Sequence, residues 1–309
     1  MSSGSNDGRS TAAMPPGLVL RYERPAPDIA ECITGYHVYG SDRLGQVDRF
    51  LPGTANVRVT LDAGPVRIDI ADRSFDPIPV ASVFGPTSHA IRAVTNGGLM
   101  VGFGISAIGW ARLTRRSAAE VHDRVVAAAA VLDPAATDAI VAALQREGAG
   151  ALARVLDPRL RAMLGPPHPA EPAIRALAAL IAQDGATDVM AAAARLGLAA
   201  KSLRRVATRY FGLTPKLLLT RARFLRSFLR NFPHGETGDG AGSYAGIDPS
   251  YHDVSHFLRD AQQYLGMTPR RFIAESTPLL RASLRTRAAV LGTSTQALHD
   301  PTRASPSGA

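Results

Sequence analysis

Two stretches decide the fold: Leu203-Arg204-Arg205-Val206-Ala207-Thr208-Arg209-Tyr210-Phe211-Gly212-Leu213-Thr214-Pro215, and Phe257-Leu258-Arg259-Asp260-Ala261-Gln262-Gln263-Tyr264-Leu265-Gly266-Met267-Thr268-Pro269. They match at a fixed offset of 54 residues. Leu203, Arg205, Ala207, Tyr210, Gly212, Thr214 and Pro215 fall on Phe257, Arg259, Ala261, Tyr264, Gly266, Thr268 and Pro269, and Leu213 falls on Met267. In each copy a helix ends in a Gly stop, and the shared Gly-x-Thr-Pro follows at the same distance. Two copies are too few for a solenoid, which generally needs three or more repeats.

Upstream of the first copy, Asp188 to Leu196, a turn at Gly197-Leu198, and Ala200 to Tyr210 read as a helix-turn-helix. Its second helix carries Lys201, Arg204, Arg205 and Arg209. No acidic residue stands between Val189 and Gly235, whereas nine basic ones stand between 201 and 231. The formal charge of the chain is +9. Residues 166–309 hold 18 basic and 10 acidic groups, so +8 of it lies there. A one-sign run on a compact helical unit favours phosphate binding and implies a polyanionic partner.

At this point the sequence resembles a known family. Gly197-Leu198, Leu203-Arg204-Arg205 and Gly212-Leu213-Thr214-Pro215 resemble the first helix-turn-helix of AraC/XylS-type transcription regulators. Asp253-Val254-Ser255-His256-Phe257-Leu258-Arg259 with Gly266-Met267-Thr268-Pro269 resembles the second. The resemblance covers about 171–275. It implies an all-α domain of two helix-turn-helix units joined by a long helix, here Pro215 to Asn231, and double-stranded promoter DNA as partner. Lys201, Ser202, Arg204, Arg205 and Thr208 then stand on the first reading helix, and Ser255, His256 and Arg259 on the second. Arginine suits guanine O6 and N7, and Ser or His serves several bases. RNA polymerase, a second copy of the chain and a small-molecule effector are further partners the resemblance allows. Arg205 and Arg259 also admit a phosphate-clamping or purely structural reading, and His256 a core one.

The sequence departs from the family in two places. Ala207 and Ala261 stand where the family usually has Phe, so both cores lose an aromatic unless neighbours such as Tyr210 and Tyr264 supply it. Gly240, Gly242, Gly246 and Pro249 fall where the second unit's supporting helix belongs. Each interior Gly costs roughly 1 kcal/mol relative to Ala, so that unit is expected to be the less stable one.

The N-terminal half follows another pattern. Val57, Val59 and Leu61 alternate with Arg58 and Thr60, and Val66, Ile68 and Ile70 alternate with Arg67 and Asp69. Period-two alternation broken by Pro-Gly and Gly-Pro turns predicts short antiparallel strands from Leu18 to about Ser106, with others near 30–39, 79–84, 89–94 and 99–105. Ser117-Ala118-Ala119-Glu120 has capping-box spacing and predicts a helix start. Helices follow near 135–147 and 149–163. The turn-rich Gly165-Pro166-Pro167-His168-Pro169 marks a boundary.

The expected class is therefore α+β. A small antiparallel β-barrel with trailing helices spans 18–165, serving sensing or dimerisation, and a double helix-turn-helix domain spans 170–276. Polar tails, expected to be disordered, occupy 1–17 and 293–309. Phe50-Leu51-Pro52-Gly53, Phe84-Gly85-Pro86, Val101-Gly102-Phe103-Gly104 and Glu120-x-x-Asp123-Arg124-Val125 loosely resemble the sensor half of some members of the same family. The Pro usual after the Gly-x-Phe strand is missing.

Enzymatic readings find little support. His37, His89 and His122 lack the spacing of a cupin metal site, and one cysteine, Cys32, excludes a zinc cluster of cysteines. Cys32 reads as a small buried hydrophobe rather than a nucleophile. No Gly-rich phosphate loop follows a strand, and no spaced Ser/His/Asp set is visible. The longest apolar run, Leu99 to Trp110, is too short for a spanning helix, which needs roughly 20 residues. No cofactor, no metal and no enzyme activity are expected, and the cytoplasm is the expected location. A nonspecific architectural DNA binder, or a barrel enzyme fused to a DNA-binding unit, are the rival readings.

Overall fold

The computed structural model describes residues 16–183, 188–232 and 244–300, together with the backbone of a short strand at Arg9–Thr11. The expectations for the remaining residues, including Gly240 and Gly242, lie outside it.

The strands follow the alternation. β1 (Arg9–Thr11), β2 (Leu18–Glu23), β3 (Ile33–Ser41), β4 (Gln46–Phe50) and β5 (Asn56–Leu61) come first. β6 (Arg67–Ile70), β7 (Arg73–Phe75), β8 (Ala81–Phe84), β9 (Ile91–Thr95), β10 (Leu99–Ile105) and β11 (Val125–Ala127) complete the set. They form two antiparallel sheets, a seven-stranded one in the order β1-β2-β3-β10-β5-β8-β11 and a four-stranded one in the order β4-β9-β6-β7. The sheets face each other across Ile68, Ile70, Phe84, Ile91, Ala93 and Met100.

The central strands of the large sheet, β3, β10 and β5, are buried on both faces, and the two faces differ in chemistry. Tyr36, Val38, Val57, Val59, Val101 and Phe103 join one cluster with Ile140, Leu144, Val155 and Leu156 of the trailing helices. Successive residues point to opposite sides, so Tyr22, His37, Tyr39, Asn56 and Arg58 face the other sheet. The apolar stripe turns outward to helices, and the polar stripe turns into the barrel.

The trailing helices are α1 (Ala107–Leu113), α2 (Pro134–Glu147) and α3 (Leu152–Met163). The Ser117–Glu120 capping box forms with both of its hydrogen bonds, but it opens a single 3-10 turn, Ala118–Val121, rather than a longer helix. Then come α4 (Glu171–Ala182), α5 (Val189–Arg195), α6 (Ala200–Val206), α7 (Pro215–Asn231), α8 (Val254–Leu265), α9 (Pro269–Ala274) and α10 (Pro278–Leu291).

Across the turn at 166–169 the core is continuous. Ile174, Leu177, Leu203, Val206, Phe211, Leu218 and Ala222 belong to the same buried cluster as Ile108 and Trp110. A second cluster, around Phe224, Phe228, Phe257 and Phe272, packs α7 against α8 and α9. Helix α10 returns to the strands. Leu279 and Val290 pack with Leu20 and Tyr22, and Ser283 Oγ lies 2.7 Å from the Tyr22 hydroxyl. Two short segments read from the sequence as tails carry structure. Arg9–Thr11 pairs with β2. The turn Gln296–Leu298 buries Ala297, and the Gln296 amide donates to Thr34 Oγ1 at 2.7 Å.

Candidate nucleic-acid interface

The sequence repeat is a repeat of geometry. α6 continues through a π-type turn, Ala207–Phe211, and stops at Gly212 with φ 77°. α8 stops at Gly266 with φ 75°. Both glycines occupy the left-handed region, which a Cβ makes costly. Two residues on, Thr214 and Thr268 cap the next helix, accepting from the amides of Leu217 at 3.3 Å and Arg271 at 3.4 Å. Pro215 and Pro269 then sit at the first helical position, where a missing N–H costs nothing. Leu203 and Phe257 are fully buried, as are Ala207 and Ala261, while Arg205 and Arg259 point to solvent in both copies.

The reading residues expected from the sequence fall on two surfaces. On α6 and its π-type extension, Lys201, Arg204 and Arg205 are exposed and Ser202 and Thr208 half-buried. On α8, Ser255 and Arg259 are exposed and His256 half-buried. Among the described residues no ion pair engages Lys201, Arg204, Arg205 or Arg259. These cations are free to meet phosphates or base edges. His256 is more constrained: its ring packs edge-on to Tyr251 at 5.0 Å, and Nε2 lies 3.3 Å from Arg223 Nη2. Asp253 caps α8 by accepting from the His256 amide at 2.6 Å.

Three of the nine cations in 201–231 are not surface charges. Arg221 is 2% exposed, and burial lowers its pKa to about 10; it donates from Nη1 to the carbonyls of Gly53 at 3.0 Å and Thr87 at 2.6 Å. Arg226 is buried and donates to the Ile181 carbonyl. Arg223 donates to Asp260 Oδ2 at 2.9 Å and lies 3.9 Å over the Tyr251 ring, whose hydroxyl donates to the same carboxylate at 2.6 Å. The charge run counts these residues as solvated because it cannot see that α7 is covered on almost every side.

The second unit is built differently from the first. Residues 244–251 form turns rather than a helix. They are tied to α7 by Asn231 Oδ1, which accepts from the Gly246 amide at 3.0 Å, and by Ser227 Oγ, which accepts from the Asp248 amide at 2.9 Å. The aromatic that Ala261 lacks comes chiefly from α7. Phe224 stacks on Phe257 at 5.5 Å and packs on Tyr264 at 5.2 Å, and Phe228 and Phe232 extend the row. In the first unit Tyr210 packs edge-on to His168 at 5.5 Å.

Comparison with known proteins adds a likeness of shape. Solved structures of ToxT from Vibrio cholerae match this chain. An apo variant matches with a TM-score of 0.43 and 10% identity over 79% of this chain and 97% of that one. Wild-type ToxT with bound unsaturated fatty acid matches at 0.43 and 10%, over 78% and 95%. A further ToxT structure matches at 0.41 and 11%, over 79% and 98%. No family model and no curated protein matches the chain.

Both units dock on the barrel half. Ser117 Oγ reaches the Thr208 carbonyl at 3.4 Å, Arg209 donates to the Arg115 carbonyl at 3.2 Å, and the Ala90 amide donates to the Tyr264 carbonyl at 2.7 Å. The docking loops hold a cluster that the sequence did not reveal, because its members come from two loops: Ser88, His89, His122 and Asp123. Asp123 Oδ2 accepts from Ser88 Oγ at 2.7 Å and contacts His89 Nδ1 at 2.9 Å, and His122 Nε2 lies 3.0 Å from Ser88 Oγ. The serine donates to the carboxylate itself and is buried, so this is a clamp between loops and not a nucleophile with its base. The Asp123 hydrogen bond raises the His89 pKa, whereas burial lowers that of His122. Burial pushes Asp123 up, but hydrogen bonds from His89 and Ser88 and the charge of His122 outweigh it and hold it below the usual carboxylate range.

Cys32 is buried just before β3, and burial pushes its thiol up to about 11, which makes it inert. Among the described residues no group of His, Cys, Asp and Glu is arranged to hold a metal ion, and no helix is long and apolar enough to cross a membrane.

Proposed function

We propose that this protein is a sequence-specific, double-stranded-DNA-binding transcription regulator of the AraC/XylS type. Residues 170–276 read promoter DNA, and residues 18–165 receive a small effector. The reading is carried by the repeated unit: two helices with identical Gly stops and Thr-Pro restarts, each offering an unpaired arginine, Arg205 or Arg259, at the same outward position. Helix α7 joins them and is about 25 Å long at 1.5 Å per residue over its 17 residues. That length suits two reading helices aimed at successive major grooves, about 34 Å apart.

Lys201, Ser202, Arg204, Arg205 and Thr208 serve one groove, and Ser255, His256 and Arg259 the other. Selection of bound sequences from random duplexes, followed by footprinting, tests the proposal. It expects enrichment of a site with two protected segments one helical turn apart. Binding without sequence enrichment supports an architectural binder instead. No duplex binding at low salt removes the proposal.

A further inference from the structure

The ring of His256, on the second reading helix, is gripped from the joining helix. Arg223 of α7 is 6% exposed, and its Nη2 donates to Asp260 Oδ2 at 2.9 Å while standing 3.3 Å from His256 Nε2. The two hydrogens of that one amino group therefore have two acceptors. The guanidinium cannot swing away, because it lies 3.9 Å over the Tyr251 ring, and the Tyr251 hydroxyl donates to the same carboxylate oxygen at 2.6 Å. Tyr251 also packs edge-on to the imidazole at 5.0 Å.

This grip decides where the imidazole carries its hydrogen. A guanidinium has donors only, so Nε2 must accept, and the hydrogen stands on Nδ1. An isolated neutral imidazole prefers the opposite form, with the hydrogen on Nε2. A hydrogen on Nε2 here would point at Arg223. The other edge of the half-buried ring is open: Nδ1 has no hydrogen-bond partner among the described residues and is not one of their buried unpartnered atoms, so it faces solvent. Ser255 and Arg259 are exposed beside it in the helix. The first unit has no such device. At the repeat offset Ser202 stands for His256, Val206 for Asp260 and Gly197 for Tyr251, and a serine hydroxyl both donates and accepts.

We propose that Arg223 is a positioning residue for base choice: it holds His256 as the Nδ1–H tautomer, so that the second reading helix offers DNA a donor at this position and selects a base edge that accepts. Guanine O6 and N7 and thymine O4 accept in the major groove, whereas cytosine N4 only donates. The base choice deepens the DNA-reading role proposed above and rests on it; the tautomer does not.

The test uses the full-length protein with isotope-labelled histidine rings. Long-range proton–nitrogen spectra at about pH 8, above the ordinary histidine range, show which nitrogen bears the hydrogen, and His256→Gln identifies the signals. Wild type should give Nδ1–H for His256. The joint Arg223→Met, Asp260→Leu variant, which removes donor and carboxylate together, should give Nε2–H. Sequence selection from random duplexes follows. At the position that His256→Ala randomises, wild type should favour guanine or thymine over cytosine by roughly fivefold, the worth of about one net hydrogen bond. The joint variant should lose that preference and keep the choices made by the first unit.

A wild-type ring bearing its hydrogen on Nε2, or divided between the two forms, overturns the proposal. So does an Nδ1–H ring that persists in the joint variant, a choice of cytosine at the His256 position, or a selection that His256→Ala leaves unaltered throughout. Neither the wild-type spectrum nor the His256→Ala selection depends on the joint variant folding. An Nδ1–H ring in a protein that binds no duplex upholds the grip of Arg223 and removes the regulator reading instead.

Discussion

Gly212 and Gly266 hold equivalent places in the repeat at φ 77° and 75°, but their surroundings differ. A Cβ at Gly212 would lie 2.8 Å from Pro86 Cγ and 3.1 Å from the Ala118 carbonyl, whereas one at Gly266 would meet nothing within 4 Å. Gly→Ala at either position carries the left-handed backbone cost, about 1–2 kcal/mol. Only Gly212→Ala adds a clash with a ring and a carbonyl held by the barrel half, and overpacking of this kind costs roughly 1–3 kcal/mol more. The expected losses are therefore about 2–5 kcal/mol for Gly212→Ala and about 1–2 kcal/mol for Gly266→Ala. Urea unfolding of the two variants side by side measures the difference, with the slope checked for constancy. Gly266→Asn should be milder than Gly266→Ala, because Asn tolerates this conformation. Losses equal within about 0.5 kcal/mol, well below the overpacking range, would refute the docking of the first unit on the Pro86 and Ala118 loops.

Asp260→Asn should cost about 3–5 kcal/mol by leaving Arg223 buried without its anion, and the joint Arg223→Met, Asp260→Leu variant should recover much of that in thermal melts. His89 has a raised folded pKa, so its stabilisation is complete below about pH 6.5 and fades as pH rises through the raised value. The stability gap between wild type and His89→Gln should shrink over that rise when unfolding is followed from pH 6 to 9. Arg204→Ala should relax one or two base positions at a cost of about 1–3 kcal/mol, whereas Arg221→Met should lower protein stability and leave base preference unchanged in a binding selection. The logarithm of DNA affinity should fall by about 0.9 per decade of salt for each phosphate neutralised; a flat titration would remove the electrostatic argument.

The strands and the repeat were legible because each rests on a short, local period. Arg58 shows where such reading stops. Val57-Arg58-Val59 alternates as a half-solvated strand does, yet both faces are buried and the arginine points into the barrel. Alternation separates two faces but does not say which one meets water. The buried arginines of α7 escaped for a related reason: charge counts carry no coverage. Helix α1 was hidden because the apolar run Leu99 to Trp110 passes from strand to helix without a polar break, the switch falling at the Ser106 cap, which accepts from the Gly109 amide at 2.9 Å. Helix α10 carries start and stop signals, Thr277-Pro278 and Gly292, but lies outside the repeat that marks the other C-terminal helices. The outward cations of α6 and α8 were readable, since the repeat itself marks which positions are core.

The unbroken core across residues 166–169 bears on how this chain can be recombined. A cut at that turn looks harmless in the sequence, but it severs partnerships rather than a tether. A C-terminal half grafted onto a foreign barrel arrives with Arg221 facing no Gly53 or Thr87 carbonyl, Gly212 without its Pro86 neighbour and Ser283 without the Tyr22 hydroxyl. The pieces are heritable only as a set. Functional chimeras should therefore be those that exchange the loops carrying Gly53, Pro86-Thr87 and Ala118 together with the helices they hold.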